Sequence, residues 1–189
     1  RFNNEIIPVE IDTKEGAIIV NEDEEPGRVS FEKLKKLKPV FEKVGSITAG
    51  NASTINDGAA ACLVMSRNKA DELGLNPIAQ IIAHCSFSGA PEWFTTAPIH
   101  STKKLLDKTQ TDIKDIDLFE INEAFSVVAI AAINKLSLNI DTVNIYGGAV
   151  SMGHPIGASG ARILCTLLNE LSCKGKEYGI ASICIGGGE

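Results

Sequence analysis

The stretch LFEINEAFSVVAIAAINKL, residues 118–136, sets the pattern for the whole chain. Its first four residues, Leu118–Ile121, have the length of a short strand. The residues from Ala124 to Leu136 form a strongly apolar segment of helix length, which we expect to be largely buried. A strand followed closely by a buried helix is typical of a layered α/β domain.

Strand-like and helix-like segments alternate on both sides of this stretch. The predicted strands are 5–11, 16–20, 60–65, 78–84 and 178–185, and residues 143–146 precede the glycine-rich stretch 147–160. The predicted helices are one that Ser30 caps and that runs through Leu37, and then 67–73, 99–108 and 158–171. The alternation predicts an α/β fold with a mixed sheet covered by helices.

Composition excludes several classes of protein. The net charge of −6 and the pI near 5.2 argue against general nucleic-acid binding, which needs clustered Lys and Arg. The longest apolar runs are about ten residues, short of the ~20 that span a bilayer. The five cysteines include no CxxC pair, which favours a reduced intracellular protein over a disulfide scaffold.

Three segments combine chemically useful residues with a strand end or a helix start, where sites form in α/β proteins. They are NEAF at 122–125, GHPIGASG at 153–160 and CIGGG at 184–188. The second segment lacks the GxGxxG spacing of a dinucleotide-binding loop. A fourth stretch, TAGNASTINDG at 48–58, consists almost wholly of small and turn-forming residues and predicts a loop lying close against another surface.

Each candidate side chain has both a functional and a structural interpretation. His154 lies in a Gly/Pro turn and suits acid–base work, although a histidine can also serve packing alone. Cys184 is either a buried core thiol or an acid–base group beside glycine N–H groups that could hold an oxyanion. Asn122 could simply cap the following helix, and Glu123 could complement its dipole. His84 and Cys85 lack a second ligand pair, so we predict no metal site.

Taken in order along the chain, the motifs resemble the thiolase family, closest to its acetoacetyl-CoA thiolase branch. The motifs are EIIPV at 5–9, AGNASTINDGAA at 49–60, NEAF at 122–125, VNIYGGA at 143–149, GHPIGASGAR at 153–162 and CIGGG at 184–188. The resemblance implies a thiolase-like layered fold and the C-terminal portion of such an enzyme, a βαβαβ half. It implies the end of the CoA-binding loop domain at 1–55, the last piece of the N-terminal domain at 56–75 and the C-terminal domain at 76–189.

The implied activity is acetyl-CoA C-acetyltransferase, the reversible condensation of two acetyl-CoA to acetoacetyl-CoA and CoA through a cysteine acyl-enzyme. By matched position, Cys184 resembles the acid–base thiol, and His154 the base that activates the nucleophile. His154 and Asn122, acting through a water, would stabilise the thioester enolate, and the N–H of Gly186 would contribute to a second oxyanion hole. Matched contacts for CoA and the acyl group are Ser53 and Ala49 at the pantetheine arm, Phe125 and Ala124 at the acyl pocket, and Arg28 and Phe41 at the adenine.

The sequence also departs from the family pattern. The family's nucleophilic cysteine belongs to the half that precedes these motifs, so we expect no turnover from this polypeptide alone, and the strand after the glycines is missing. Pro26 stands where the potassium-activated mitochondrial members have a tyrosine, which argues against bound K⁺. The resemblance implies no cofactor beyond the thioester substrate, no membrane partner, a homo-oligomer (tetramer or dimer), and a mitochondrial more than a cytoplasmic location.

Three other interpretations are weighed against this one. A decarboxylating or chain-elongating condensing enzyme usually has His or Asn where Cys184 stands. A non-catalytic acyl-CoA or lipid-binding module would not need Cys184, His154 and Asn122 together. A 3-ketoacyl-CoA thiolase of broader chain length differs in substrate alone, and the small-residue motifs favour short chains.

Overall fold

The computed structural model describes residues 2–189, in which helices outnumber strands. The strands are β1 (Val9–Thr13), β2 (Gly16–Val20), β3 (Leu118–Ile121) and β4 (Gly179–Ser182). The α-helices are α1 (Phe31–Leu34), α2 (Arg67–Glu72), α3 (Ala97–Thr109), α4 (Ser126–Leu136), α5 (Ala149–Met152) and α6 (Ser159–Lys174). Short 3₁₀ turns lie at Glu25–Arg28, Pro91–Thr96, Ile113–Asp115 and Ile140–Thr142.

A parallel pair of strands lies at the centre of the second half of the chain. β3 and β4 pair in register from Leu118 opposite Gly179 to Ile121 opposite Ser182, and Val143 adds a single parallel bridge to Phe119. All four residues of β3 are buried, because α6 packs against the pair and a core of aliphatic side chains lies beside it. The core members are Ile99, Leu106, Phe119, Ile121, Val128, Ala132, Leu136, Val143, Ile180 and Cys184.

The first half of the chain is largely solvent-exposed. β1 and β2 form an antiparallel hairpin in which every residue is exposed. No residue from 2 to 69 is buried, and large apolar side chains such as Ile7 and Val44 are 82% and 98% exposed. These residues touch the second half mainly through the small-residue loop at 48–58 and through Glu5.

Two predicted strands are wrong for this structure. Residues 60–65 and 78–84 have no regular secondary structure, and Leu63 and Ile78 are 86% and 85% exposed. A strand exists only when a neighbour accepts and donates its backbone hydrogen bonds, and no strand lies beside either segment within residues 2–189. Their apolar sequence therefore indicates a tendency to form strands, but a strand also needs a neighbouring strand to pair with.

Other boundaries shift for local reasons. The first strand begins at Val9 instead of residue 5, because Glu5 and Ile6 turn back onto Phe2 and Pro8 has no N–H to donate. The helix after Ser30 has only four residues, and the Ser30 hydroxyl makes no capping hydrogen bond. β3 matches its predicted bounds, and the predicted helices at 67–73, 99–108 and 158–171 are confirmed with small shifts.

The helix predicted from Ala124 begins at Ser126, and only one face of it is buried. Val128, Ala129, Ala132 and Leu136 are buried, whereas Val127 and Ile130 are 44% and 52% exposed. The last strand is shorter than predicted, four residues against eight. No helix formed by residues 2–189 is long and apolar enough to cross a membrane.

Candidate active site

Asn122 and Cys184 lie at the same edge of the central sheet, because parallel strands share their carboxyl ends. Asn122 directly follows β3, and its backbone N–H donates to the carbonyl of Ser182 at 2.9 Å. Cys184 follows β4 by two residues. Both side chains are shielded, at 1% and 5% exposure, and Cys184 belongs to the apolar core. Within residues 2–189 no hydrogen bond joins the Cys184 thiol to Asn122 or His154.

His154 is fixed by a turn that a glycine makes possible. Gly153 has φ of +98°, and a side chain there would overlap the Oδ1 atom of Asn56. The backbone of His154 pairs with the small-residue loop, because its N–H donates to the carbonyl of Thr54 at 2.8 Å and the residue bridges Ile55. The imidazole is therefore held between the loop and the sheet edge.

The contacts of the imidazole define its tautomer. The Nδ1 atom lies 2.6 Å from the Oγ atom of Ser159, whose hydroxyl also lies 3.1 Å from the carbonyl of Pro155. A carbonyl oxygen can only accept, so the Ser159 hydroxyl donates a hydrogen bond to the carbonyl of Pro155. Its Oγ atom then accepts a hydrogen bond from Nδ1–H of His154. Nε2 then carries the lone pair and accepts from the Nδ2 amide of Asn122 at 3.4 Å. His154 and Asn122 are thus in direct contact.

Burial sets the proton affinities of the two candidate acid–base groups. Burial lowers the pKa of His154, and the nearby Arg162 charge lowers it further, so the imidazole is neutral at pH 7. Burial raises the pKa of the Cys184 thiol above its ordinary value, and its own backbone N–H offsets part of that effect. A neutral imidazole and a protonated thiol are the forms in which a base and an acid start a proton-transfer reaction.

The small-residue loop lies along the start of α4. The Ser53 N–H and hydroxyl both donate to the carbonyl of Ala124, at 3.1 and 3.0 Å. Ala52 forms an antiparallel bridge with Phe125, whose ring meets the ring of Phe41 edge-on with centroids 5.8 Å apart. These contacts bring four of the predicted CoA and acyl contacts, Ser53, Ala124, Phe125 and Phe41, into one surface.

The other three predicted residues, Arg28, Ala49 and Gly186, are exposed. Arg28 is exposed and forms ion pairs with Glu24 and Glu25, its near neighbours in sequence. Its 3₁₀ turn lies beside α5, the helix that precedes His154. Ala49 is an exposed member of the loop, and Gly186 is exposed in the turn after Cys184 with open space where a side chain would be. The structure places these three without testing their roles.

Comparisons with known proteins identify the family. The family model of the thiolase C-terminal domain matches residues 75–189, and the family model of the thiolase N-terminal domain matches residues 1–68. The chain belongs to the thiolase family.

Individual relatives agree with this assignment. The acetyl-CoA acetyltransferase of Yarrowia lipolytica is 54% identical over 99% of this chain and 47% of its own length. The crystal structure of the Bacillus anthracis acetyl-CoA acetyltransferase superposes with a TM-score of 0.95 at 42% identity, covering 99% of this chain and 48% of that one. The crystal structure of a thiolase from Ascaris suum in complex with coenzyme A superposes with a TM-score of 0.91 at 47% identity, covering 99% of this chain and 47% of that one. The predicted thiolase fold is therefore confirmed, and this chain spans about half the length of the curated relatives it matches.

Two features of this thiolase chain escaped the sequence analysis. Ser159 is 1% exposed and orients the imidazole, and its position five residues after His154 at the start of α6 was the available signal. Glu120 lies inside the apolar strand β3 at 1% exposure, and its Oε2 atom is 3.4 Å from the Nη1 atom of Arg162. Burial and the neighbouring carboxylate of Glu170 raise the pKa of Glu120 to about 8.

A groove of about 390 Å³ opens beside Pro155 in this thiolase chain, and His154 does not line it. It runs between residues 56–60 of the small-residue loop and residues 155–161, and Cys184 is not part of its wall. No cluster of three or more His, Cys, Asp or Glu side chains suited to a metal ion occurs within residues 2–189.

Proposed function

We propose that the whole protein of which these residues form a part is an acetyl-CoA C-acetyltransferase. It would condense two acetyl-CoA to acetoacetyl-CoA and CoA, and cleave acetoacetyl-CoA in the reverse direction. The observation that carries the proposal is the contact between His154 and Asn122 at the sheet edge where Cys184 emerges. The names of the relatives, acetyl-CoA acetyltransferases at about half identity, support the same activity.

Cys184 is proposed as the acid–base group. Claisen condensation removes an α-proton from one acetyl-CoA, and thiolysis returns a proton to the same carbon. Because burial raises the pKa of this thiol, its thiolate is a stronger base than a free one, and the thiol holds its proton until a carbanion forms. The glycines at 186–188 leave backbone N–H groups that can hold an oxyanion.

His154 is proposed as the base that serves the acyl-carrying cysteine. Its Nε2 atom carries the lone pair of the ring because Nδ1–H donates a hydrogen bond to Ser159, and its lowered pKa keeps the ring neutral at physiological pH. Asn122 approaches the same nitrogen with an amide N–H, and that amide can also donate to an enolate oxygen. The nucleophilic cysteine implied by the family is not among the cysteines of residues 1–189, so we expect this polypeptide alone to show no turnover.

The surface formed by Ser53, Ala124 and Phe125 is proposed to hold the pantetheine arm and the acyl group, and Phe41 stays the proposed adenine-side contact. Pantetheine is a narrow chain, and the small side chains of the loop at 48–58 let it approach the backbone closely. The half-buried Phe125 ring is proposed to limit the space for the acyl group, which favours short acyl chains over long ones.

Three further properties are proposed from the family resemblance. The protein would act as a homo-oligomer, a tetramer or a dimer, and in mitochondria more than in the cytoplasm. It would need no bound cofactor, since a thiol, an imidazole and backbone N–H groups perform the proton transfers. Activation by K⁺ is not expected, because Pro26 stands at the position where the activated members have a tyrosine.

The full-length protein with Cys184→Ser tests the proposal. A serine hydroxyl is a far weaker acid than a thiol, so the rate of acetoacetyl-CoA cleavage should fall by roughly 10²–10⁴-fold while CoA binding persists. Cys173→Ser, a change on the exposed end of α6, is the matched control and should keep the wild-type rate. A wild-type protein that binds CoA without turnover would support a binding module instead. Turnover of long-chain 3-ketoacyl-CoA as fast as acetoacetyl-CoA would support the broader thiolase.

A further inference from the structure

The carboxylate of Glu123 lies between the segments that carry Asn122 and His154. Its Oε2 atom accepts from the backbone N–H of Val150 in α5 at 3.1 Å, and its Oε1 atom accepts from the Nδ2 atom of Asn144 at 3.1 Å. Glu123 follows Asn122 directly, and only one glycine separates α5 from His154. One side chain therefore links the segments of two proposed active-site residues.

Asn144 continues this link to the last residue of β3. Its backbone has φ of +49°, a left-handed conformation in which asparagine is enriched. Its Nδ2 atom donates to the carbonyl of Ile121 at 2.9 Å, and its Oδ1 atom accepts from the N–H of Ile121 at 2.8 Å. One N–H of the amide group is thus directed at Ile121 and the other at Glu123, which fixes the orientation of the amide.

The fold leaves space for the Glu123 carboxylate at one buried glycine. A side chain at Gly148 would overlap both carboxylate oxygens. Gly148 has φ of −125°, which any residue adopts, so the glycine is needed here for space and not for its backbone conformation.

These contacts belong to a single domain. Glu123, Asn144, Gly148 and Val150 all lie within residues 75–189, the range that matches the thiolase C-terminal domain. Because both partners of each contact lie in that range, we expect the same contacts in the full-length protein.

We propose that Glu123 is a positioning residue, which holds Asn122 and His154 at the separation that the reaction needs. The inference rests on the proposed acetyltransferase function. The Nδ2 atom of Asn122 and the Nε2 atom of His154 are 3.4 Å apart, near the upper limit of a hydrogen bond, so a small shift of either segment separates them. Both side chains are proposed to act on the same enolate, and a catalytic group about 1 Å out of place can cost about 100-fold in rate.

A glutamine at this position cannot replace the carboxylate. Both carboxylate oxygens accept hydrogen bonds, whereas a glutamine has one oxygen, and its NH₂ group would face a donor of either Val150 or Asn144. Asn144 cannot turn its amide over to accept, because it would lose both hydrogen bonds to Ile121. Glu123→Gln therefore breaks one side of the link while the side chain keeps its size.

Steady-state cleavage of acetoacetyl-CoA by the full-length protein tests the proposal. Glu123→Gln should lower kcat by about 10–100-fold with KM within about two-fold of wild type, because it misplaces Asn122 and His154 and removes no proposed CoA contact. Gly148→Ala should give a similar loss, since the added methyl group displaces the same carboxylate. The double variant should be no slower than the slower single variant, because both changes act through one side chain.

Asp117→Asn is the matched control for a loss of structure at β3. The Oδ2 atom of Asp117 accepts from the backbone N–H groups of Glu177 and Tyr178, both at 3.0 Å, at the end of β3 opposite Asn122. Asp117→Asn also removes a carboxylate that accepts two hydrogen bonds, and it should keep kcat within about two-fold of wild type. Equal losses of kcat in Asp117→Asn and Glu123→Gln would overturn the proposal, and so would a wild-type kcat in both Glu123→Gln and Gly148→Ala.

Crystal structures of the full-length variants separate this inference from the proposed function. The distance between the Nδ2 atom of Asn122 and the Nε2 atom of His154 is 3.4 Å with Glu123 in place. It should exceed hydrogen-bonding range in Glu123→Gln and stay unchanged in Asp117→Asn. Wild-type turnover together with an unchanged distance in Glu123→Gln would overturn the inference alone. A wild-type protein without turnover would overturn the proposed function and the inference with it.

Discussion

The two halves of this chain have similar amounts of apolar sequence but bury it very differently. From residue 97 to residue 184 the apolar side chains of α3 and α4 form the core together with two parallel strands, and α6 also packs against these strands. From residue 2 to residue 69 no residue is buried, and Ile7, Val44 and Leu63 lie mostly in solvent. Hydrophobic sequence alone therefore does not produce burial, since each apolar face also needs a partner surface.

The proposed active site lies across the boundary between these halves. The second half supplies Cys184 and His154, which are the proposed proton-transfer groups, and the amide of Asn122. The first half supplies a loop of small residues whose backbone hydrogen bonds reach His154, Ala124 and Ser126. This division predicts that changes in the second half affect stability and rate, whereas changes in the first half affect substrate affinity and electrostatics.

The largest expected difference concerns stability. In the polypeptide of residues 1–189, Ile163→Ala should lower the free energy of unfolding by about 2–5 kcal/mol, because Ile163 is 2% exposed in the core-facing side of α6. Ile7→Ala removes the same atoms at 82% exposure and should cost less than about 0.5 kcal/mol. Urea unfolding followed by circular dichroism measures both. Equal losses would contradict the distinction between the halves.

The sequence predicted the second half better than the first for a physical reason. β3, α3, α4 and α6 are stabilised by partners within the chain, so their local patterns and their structures agree. Segments 60–65 and 78–84 have the same strand-like pattern and no neighbouring strand, and the prediction was wrong there. Secondary structure that depends on pairing is not a property of the segment itself.

Side-chain contacts were harder to predict than elements. His154 and Asn122 stood out because each follows a strand or a glycine turn, and the structure brings them together. In the sequence Ser159 is one small residue among several, because its role depends on the direction in which its hydroxyl points. The contact between Glu123 and Val150 joins residues 27 positions apart, and no local pattern connects them. Contacts of this kind are products of the tertiary fold.

A second prediction compares two serines, one in each half, which both form a hydrogen bond next to the proposed site. In the full-length protein, Ser159→Ala removes the acceptor of the His154 Nδ1 proton, so the ring can adopt the wrong tautomer. The kcat for acetoacetyl-CoA cleavage should fall by about 10–100-fold with little change in KM. Ser53→Ala removes a hydrogen bond to Ala124 and should mainly raise KM, by less than about ten-fold.

The Ser159→Thr variant separates positioning by the Ser159 hydroxyl from a purely structural effect. A wrong tautomer removes the same fraction of competent enzyme at every pH at which the ring is neutral, so the shape of the profile above pH 7 should be unchanged while its height falls. Ser159→Thr retains the hydroxyl and should recover most of the rate. Similar losses in Ser159→Thr and Ser159→Ala would indicate that packing, and not the hydrogen bond, is what matters.

The smallest expected effect is that of Glu5 on the titration of two buried carboxylates, Glu120 and Glu170. Burial raises the pKa of Glu120 to about 8 and that of Glu170 to about 7, above the ordinary value of 4.5. The folded state therefore binds protons that the unfolded state has released between these values. The stability of the polypeptide of residues 1–189 should be complete below about pH 4.5 and decline as the pH rises through 7 and 8. Glu120→Gln removes one titrating group and should make the loss of stability between pH 7 and pH 8 smaller.

Glu5 tests whether the first half contributes to this titration. Its carboxylate accepts from the Nδ2 atom of Asn169 at 2.9 Å and from the hydroxyl of Thr166 at 3.0 Å, and its charge raises the pKa of both Glu120 and Glu170. Glu5→Gln keeps the shape and removes the charge.

Both folded-state pKa values should then fall, by less than about one unit, and each unit corresponds to about 1.4 kcal/mol. A lower folded pKa makes the decline end earlier and become smaller, so Glu5→Gln should be slightly more stable than wild type at pH 9 relative to pH 5. Glu10→Gln, on the exposed hairpin, is the matched control and should leave the profile unchanged. If Glu5→Gln also leaves it unchanged, the first half contributes only contacts to α6, and the titration belongs to the second half alone.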